Sequence, residues 1–284
     1  MSIKIVTDSG SDISQAEALE KEITVLPLKT IIGDREYRDG IDISTTEFYE
    51  RLIESDDIPK TSQISPYDYE AAFERELKDF DSVLCITISS KLSGCYQSAC
   101  IAASEFDGRV TVVDSESVSL GLRCLVEYAV ELLKSETDIK KAEEALNIQK
   151  KKLMVVALLD TLEYLKKGGR ISAAAALAGN VLSIKPVIAL RDGEIIMLGK
   201  ARGSKNGNNL LTQCVKIRGP IDFKKPYCLA YSGLSDALLK KYIEDTGSFF
   251  NVDKENIPIH IIGSTIGTHS GPGAIAAAFF CLGE

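Results

Sequence analysis

One stretch, Val83 to Ala99 (VLCITISSKLSGCYQSA), constrains the fold more than any other part of the chain. An apolar, β-prone run from Val83 to Ile88 breaks into the small polar loop Ser89-Ser90-Lys91-Leu92-Ser93-Gly94. Tyr96, Ala99, Cys100 and Ala103 then recur at helical spacing, with polar residues on the other face. The pattern is a buried strand that delivers a hydroxyl-rich loop to a helix N-terminus. In open α/β sheets such crossings collect ligands, because free backbone N–H groups and the helix dipole favour negative charge. A lone serine before a helix needs no purpose beyond capping it. Three serines and a glycine in one turn exceed what a cap requires, and Ser93 and Gly94 are read as site residues.

Around this stretch the chain alternates strands and helices from residue 1 to about 135, which predicts a mainly parallel sheet. Ile3 to Val6 is a strand ending in Thr7-Asp8-Ser9-Gly10-Ser11-Asp12. An Asp there can bind a metal or orient a histidine, or it can tie the turn and cap a helix. Ile23 to Ile32 reads as one strand, with Gly33-Asp34 as a hairpin turn. Ser44 and Ser65 read as helix N-caps, the second with Pro66 at the first helical position. That cap leaves Thr61-Ser62-Gln63 unexplained, a second cluster of neutral donors. Val110 to Val113 is a buried strand, Val118 to Leu133 an amphipathic helix, and Lys150-Lys151-Lys152 a solvated helix end.

A domain boundary is placed near residue 152, giving domains 1–152 and 153–284. In the second, Met154 to Leu159 is a strand, and a short helix stops at Gly168, which fits a left-handed C-cap. Ser172 caps the Ala-rich segment Ala173 to Ala178, whose small side chains allow close packing or leave room for a long thin ligand. Val187 to Leu190 and Glu194 to Leu198 form a hairpin around Arg191-Asp192-Gly193, so antiparallel pairing enters. Ile257 to Ile262 is the last clear strand, followed by a run of glycines and hydroxyls around His269. His260, inside the strand pattern, is read as structural, and His269 as functional because glycines let a backbone approach a ligand closely.

Composition narrows the function. A net charge of −8 argues against sequence-independent nucleic-acid binding, which needs a positive face. Seven cysteines without a CxxC pair and only two histidines make a zinc site a poor reading. No metal or cofactor is expected. The first strand starts almost at Met1 and no apolar run reaches the ~20 residues of a membrane span. A cytoplasmic protein is expected.

Seven pieces of the sequence, TDSGSD (7 to 12), TSQIS (61 to 65), ITISSKLSGCYQSA (86 to 99), GGRI (168 to 171), KP (185 and 186), ARGSK (201 to 205) and GTHSGPG (267 to 273), resemble the DegV family of bacterial fatty-acid-binding proteins. The resemblance spans nearly the whole chain. It implies a two-domain α/β fold: a three-layer α/β/α domain with a parallel sheet, then a two-layer domain with a mixed sheet. It also implies a fatty acid buried between them and no catalysis by the chain itself. Carried over, Thr61, Ser62, Ser93, Gly94 and His269 belong to the carboxylate site, and Arg170 and Arg202 match positions where the family meets a separate fatty acid kinase. That kinase makes an acyl phosphate for phospholipid synthesis. Ile64 stands where proline is common in the family and Cys95 where threonine is common.

The chemistry of the residues is consistent with this. A carboxylate needs several short donors converging on one point, which Thr61, Ser93 and His269 can supply. At ~0.8 kcal/mol per buried CH₂, a sixteen-carbon chain gains on the order of 10 kcal/mol before binding entropy is subtracted. Two rival readings remain open. One is a hydrolase with Ser93 as nucleophile, His269 as base and Asp8 orienting it, though Ser93 lacks a G-x-S-x-G elbow. The other is a carrier of small phosphorylated metabolites using Arg170, Arg202 and Lys205, though no Walker A or G-x-G-x-x-G loop is present.

Overall fold

The computed structural model describes residues 2–55, 57–171, 184–246 and 254–282. In chain order its elements are β1 (Ile3–Asp8), α1 (Gln15–Glu20), β2 (Thr24–Leu26), β3 (Lys29–Ile32), β4 (Arg35–Arg38), α2 (Thr45–Glu54), β5 (Lys60–Ser62) and α3 (Pro66–Glu76). Next come β6 (Ser82–Thr87), α4 (Cys95–Ala103), β7 (Val110–Asp114), α5 (Leu120–Leu132), α6 (Ile139–Gln149), β8 (Leu153–Leu158) and α7 (Glu163–Lys167). The remainder is β9 (Ile184–Arg191), β10 (Glu194–Arg202), α8 (Ser204–Ile217), β11 (Cys228–Tyr231), α9 (Ala237–Thr246), β12 (Ile259–Ile261), α10 (Ser264–Ser270) and β13 (Ile275–Phe280).

The first sheet has the order β2-β1-β6-β7 and is parallel throughout. All six residues of β6 are buried, which requires cover on both faces. Helices α3 and α4 pack together over one face, α5 and α6 over the other, giving three layers. The second sheet has the order β10-β9-β8-β13-β11-β12 and is mixed, with β11 and β12 as its parallel pair. Its alternation is clean. Val156, Leu158, Val187, Ile275, Ala277 and Phe279 face outward into a core with Leu211 and Val215 of α8 and Leu239 and Tyr242 of α9. Val155, Ala276, Ala278 and Phe280 face the other way, into the core shared with the first sheet.

Helix α5 joins the two sheets. It touches β1 and β6 of the first and β8, β11 and β13 of the second. Leu120, Leu122, Arg123, Cys124, Leu125, Val126 and Ala129 are buried, and the polar side expected of an amphipathic helix is reduced to the stripe Arg123, Glu127 and exposed Glu131. Arg123, the charge in this run, is neutralised by Glu17, whose Oε1 accepts from Nη1 at 2.8 Å.

Other local readings are corrected. The expected strand Ile23 to Ile32 is two strands, because Pro27 lacks a ladder donor and ends β2. The second piece, β3, pairs instead with β4 and β5 in a separate three-stranded antiparallel sheet. The residue in left-handed conformation after α7 is Gly169 (φ 70°), not Gly168. Lys150 is not a solvated helix end: its Nζ donates to the Asp114 carbonyl at 2.8 Å and pairs with Glu116 at 3.1 Å. The predicted caps Ser44 and Ser65 and the Asp192-Gly193 hairpin are in place. Ser172 and Ala173 to Ala178 lie outside the described residues.

Candidate functional site

The loops following β6 and β7 lie at the carboxyl ends of the parallel strands, where α/β sheets expose free backbone donors. Opposite them stands the inner face of the second sheet. Between the two is a cavity of about 330 Å³, a size suited to a small ligand. Most of its wall is apolar: Ile88, Leu92 and Val118 from the first half, Val155, Ala157, Ile188 and Ala276 from the second. Thr61, Ser62, Gln63, Ser93, Gly94, Arg170, Thr265 and His269 also line it.

Each polar group is placed by its element. Thr61 sits in the middle of β5, opposite Thr30 of β3, which holds its side chain in register. His269 is in the last turn of α10, a segment read from sequence as a loop. It is helical because buried carboxylates occupy its N-terminus. Asp39 accepts from the N–H groups of Ser264 (3.1 Å) and Thr265 (3.4 Å), and Asp12 accepts from that of Gly263 (2.8 Å). Thr61 Oγ1 and His269 Nε2 are 2.9 Å apart. The ring lies against Gly168, where a Cβ would come within 2.2 Å of Nδ1, so a glycine is required there. Nδ1 is buried and has no hydrogen-bond partner among the described residues. Burial, reinforced by the Arg170 charge, lowers the His269 pKa to about 4 and keeps the imidazole neutral at neutral pH.

The N-cap position of α4 is Gly94, which makes no side-chain hydrogen bond, while Ser93 Oγ accepts from the Cys95 N–H of the first turn at 3.4 Å. The Ser93 hydroxyl donates to Cys95 Sγ at 3.2 Å. Gly94 carries no side chain because Gln63 packs on it; a Cβ would sit 1.9 Å from Gln63 Oε1. Ile64 and Cys95, the two departures from the family pattern, lie close together here, and burial pushes the Cys95 thiol pKa up to about 12.

The structure brings Thr61, Ser62, Ser93, Gly94, His269 and Arg170 to one cavity. Arg170 is not on an open loop. Its guanidinium donates to the carbonyls of Leu92 (3.1 Å) and Gly168 (2.6 Å), tying the Ser93 loop to the turn under His269. Arg202 is outside the cavity lining and exposed, and it ends β10 rather than lying on a loop. Asp8 does not orient His269. Its oxygens accept from Gly10 N (3.0 Å) and Ile88 N (2.8 Å), and burial raises its pKa to about 7. The Ser93, His269 and Asp8 hydroxyl-to-carboxylate relay of a hydrolase is therefore not assembled. Among the described residues there is no cluster of metal ligands and no helix long and apolar enough to cross a membrane.

Sequence reasoning noted Gln63 only as a donor beside Thr61 and missed Thr265 and the small wall residues Ala157, Ala274 and Ala276. The signal for Ala157 and Ala276 was the alternation along β8 and β13, weak because alanine carries little strand preference.

Comparison with known proteins agrees with this geometry. The family model described as "Uncharacterised protein, DegV family" matches residues 2–281. A DegV domain-containing protein of Deinococcus radiodurans is 33% identical over 281 residues, covering 98% of each chain. A DegV family protein of Thermus thermophilus, whose structure is described by its fatty acid binding, superposes with a TM-score of 0.87 at 32% identity, covering 99% of this chain and 100% of the other. A stearic-acid-binding protein of Eubacterium ventriosum superposes with a TM-score of 0.86 at 28% identity, covering 98% of both chains. In sequence and in fold, this chain belongs to the DegV family.

Proposed function

We propose that this chain binds one long-chain fatty acid in the cavity and presents it, in the cytoplasm, to a separate fatty acid kinase for acyl phosphate formation and phospholipid synthesis. It performs no chemistry of its own. Residues 1–152 supply Thr61 and Ser93 to the carboxylate, with Ser62 and Gly94 beside them; residues 153–284 supply His269 and most of the acyl wall. The observation that carries this reading is a largely apolar cavity with hydroxyls, a neutral imidazole and an arginine at its polar end.

The head-group chemistry follows from the hydrogen bonds. Nδ1 of His269 meets no acceptor among the described residues, so the ring proton belongs on Nε2, which faces Thr61. Nε2–H then donates to Thr61 Oγ1, and the threonine hydroxyl hydrogen is free for a carboxylate oxygen. Ser93 contributes a second hydroxyl by turning from Cys95 Sγ, a weak acceptor, to the stronger anionic one. Arg170 adds positive charge near the same end without surrendering its carbonyl partners.

Native mass spectrometry of protein purified from cells tests the binding. A single retained, unmodified fatty acid supports it; an empty cavity, or an ester cleaved through an acyl-enzyme burst, overturns it. Arg202, exposed on an edge strand of an acidic protein, and Arg170 at the cavity rim are proposed to dock the kinase. Arg202→Glu should keep its fatty acid yet fail to yield acyl phosphate with kinase and ATP. Normal product formation would remove that role.

A further inference from the structure

The cavity wall changes along β8. Leu159, just past the strand, clusters with Leu165 and Ile188 near the polar end, whereas Val155 belongs to the core under α5. Four strand residues at about 3.3 Å each put Val155 about 13 Å from Leu159. Register pairs Ala157 with Ile188, so Val155 lies at the level of Leu190 on the neighbouring strand. Val155 and Leu190 line the cavity and, on their other side, a second pocket of about 130 Å³. That second pocket is lined by Glu116, Lys150, Lys151, Arg191 and Arg218. Two apolar side chains thus partition an apolar space from an ion-lined one. The partition is firm at Val155, because Gly121 of α5 approaches so closely that a Cβ there would lie 2.4 Å from Val155 Cγ2. Lys150 behind it is fixed by Glu116 and the Asp114 carbonyl, with 9% of its side chain exposed.

We propose that Val155 and Leu190 stop the methyl end of the acyl chain and so set the longest fatty acid the protein accepts. This rests on the fatty-acid reading given above. A chain two carbons too long would have to displace the partition and thrust methylenes among charges already paired or hydrated, which is unfavourable on both counts. Of the two residues Leu190 has the freer side chain, being only part-buried, so it is the place where length preference can be retuned without disturbing the core.

The test is competition among saturated fatty acids from twelve to twenty-two carbons, with the bound fraction of each read by native mass spectrometry. Leu190→Ala and Val155→Ala should move the preferred length upward. Burial of a methylene is worth roughly fourfold in affinity, so two more accommodated carbons correspond to roughly fifteenfold in the long-to-short ratio. Leu190→Phe should move the preference downward. Val156→Ala removes the same atoms from the outward face of β8 and should leave the profile unchanged. Should Val155→Ala fail to fold, the part-buried Leu190 pair carries the test. Leu190 variants that bind fatty acid with the wild-type length profile overturn the partition. Wild-type protein that retains none of the series overturns the fatty-acid reading itself, and the partition falls with it.

Discussion

The short helix α10 has a polar cluster at each end, and the two are built differently. At its N-terminus every carboxylate oxygen is used. Asp39 Oδ1 accepts from Ser264 N and Oγ, Asp39 Oδ2 from Ser9 Oγ and Thr265 N, and Asp12 receives Gly263 N and Ser119 Oγ on its two oxygens. At the other end His269 has one nitrogen on Thr61 and the other without a partner among the described residues, and Thr265 Oγ1, one turn before it among the cavity-lining residues, is also unpartnered. A saturated buried network holds a position; an unsaturated one costs stability and persists where something else completes it. The comparison separates scaffold from site on one seven-residue helix.

The largest effect should come from breaking the saturated end. Asp39→Ala orphans several buried donors at ~1–3 kcal/mol each, so a loss of about 3–5 kcal/mol in chemical denaturation is expected. A loss below about 1 kcal/mol would show that the cluster does not anchor the helix. At the unsaturated end, Thr61→Ala should leave stability nearly intact and weaken fatty-acid binding by about 1.5–3 kcal/mol, measured by calorimetry. Ser93→Ala has the same sign. Unchanged affinity in both variants would erase the distinction between the two ends.

Gly168→Ala sharpens the comparison because it disturbs the unsaturated end without removing any of its polar groups. Its Cβ would meet His269 Nδ1 at 2.2 Å, so the ring must shift from the position in which it meets Thr61. An affinity loss of about 1–2 kcal/mol is expected, and a His269→Asn background should abolish the difference. The smallest effect concerns pH. Burial raises the Asp12 pKa to about 7, against 3.8 unperturbed. The folded state holds that proton more tightly, so its contribution is fully present below the unfolded value and is lost as pH rises through about 7. The histidines, whose pKa values burial lowers from 6.5, are still partly protonated in the unfolded state at pH 6.5, so they add stability as pH rises, and they do so alike in wild type and Asp12→Asn. From pH 6.5 to 8 the wild type should therefore lose about 0.8 kcal/mol relative to Asp12→Asn, in which the Asp12 contribution is removed. Asp8, also raised to about 7, remains as a second source in both proteins.

Much of this was legible in the sequence where local chemistry decides the structure. The run from Val83 to Ala99 folds as strand, loop and helix as read, and Ser44, Ser65 and the Asp192-Gly193 turn act locally. What escaped is what distant parts decide. Strand β13 sits at the centre of the second sheet, yet Ala276, Ala277 and Ala278 give it no strand signature; its neighbours β8 and β11 impose the conformation. Helix α10 is rich in glycine and threonine, poor helix formers, and depends on carboxylates from more than 220 residues away in sequence. The hydroxyl loops marked Thr61 and Ser93 as candidates, whereas the cavity wall exists only once register sets Ala157 beside Ala276. Arg202 was grouped with Arg170 because the family resemblance makes both of them partner-docking positions, and the fold places them in different surroundings.

Helix α5, enclosed over most of its surface between the two sheets, has a consequence for how the molecule comes apart. We propose that residue 152 marks a change of sheet rather than a seam, because the core on its two sides is one. Pulling the halves away from each other would strip cover from Leu122, Leu125 and Val126 together with their partners on β11 and β13. Such a chain melts as one unit, so heat and denaturant should give a single coincident transition by far-UV dichroism and by tyrosine fluorescence. A ligand held in the cavity would then leave past its rim, by local yielding, while the body of the protein stays closed.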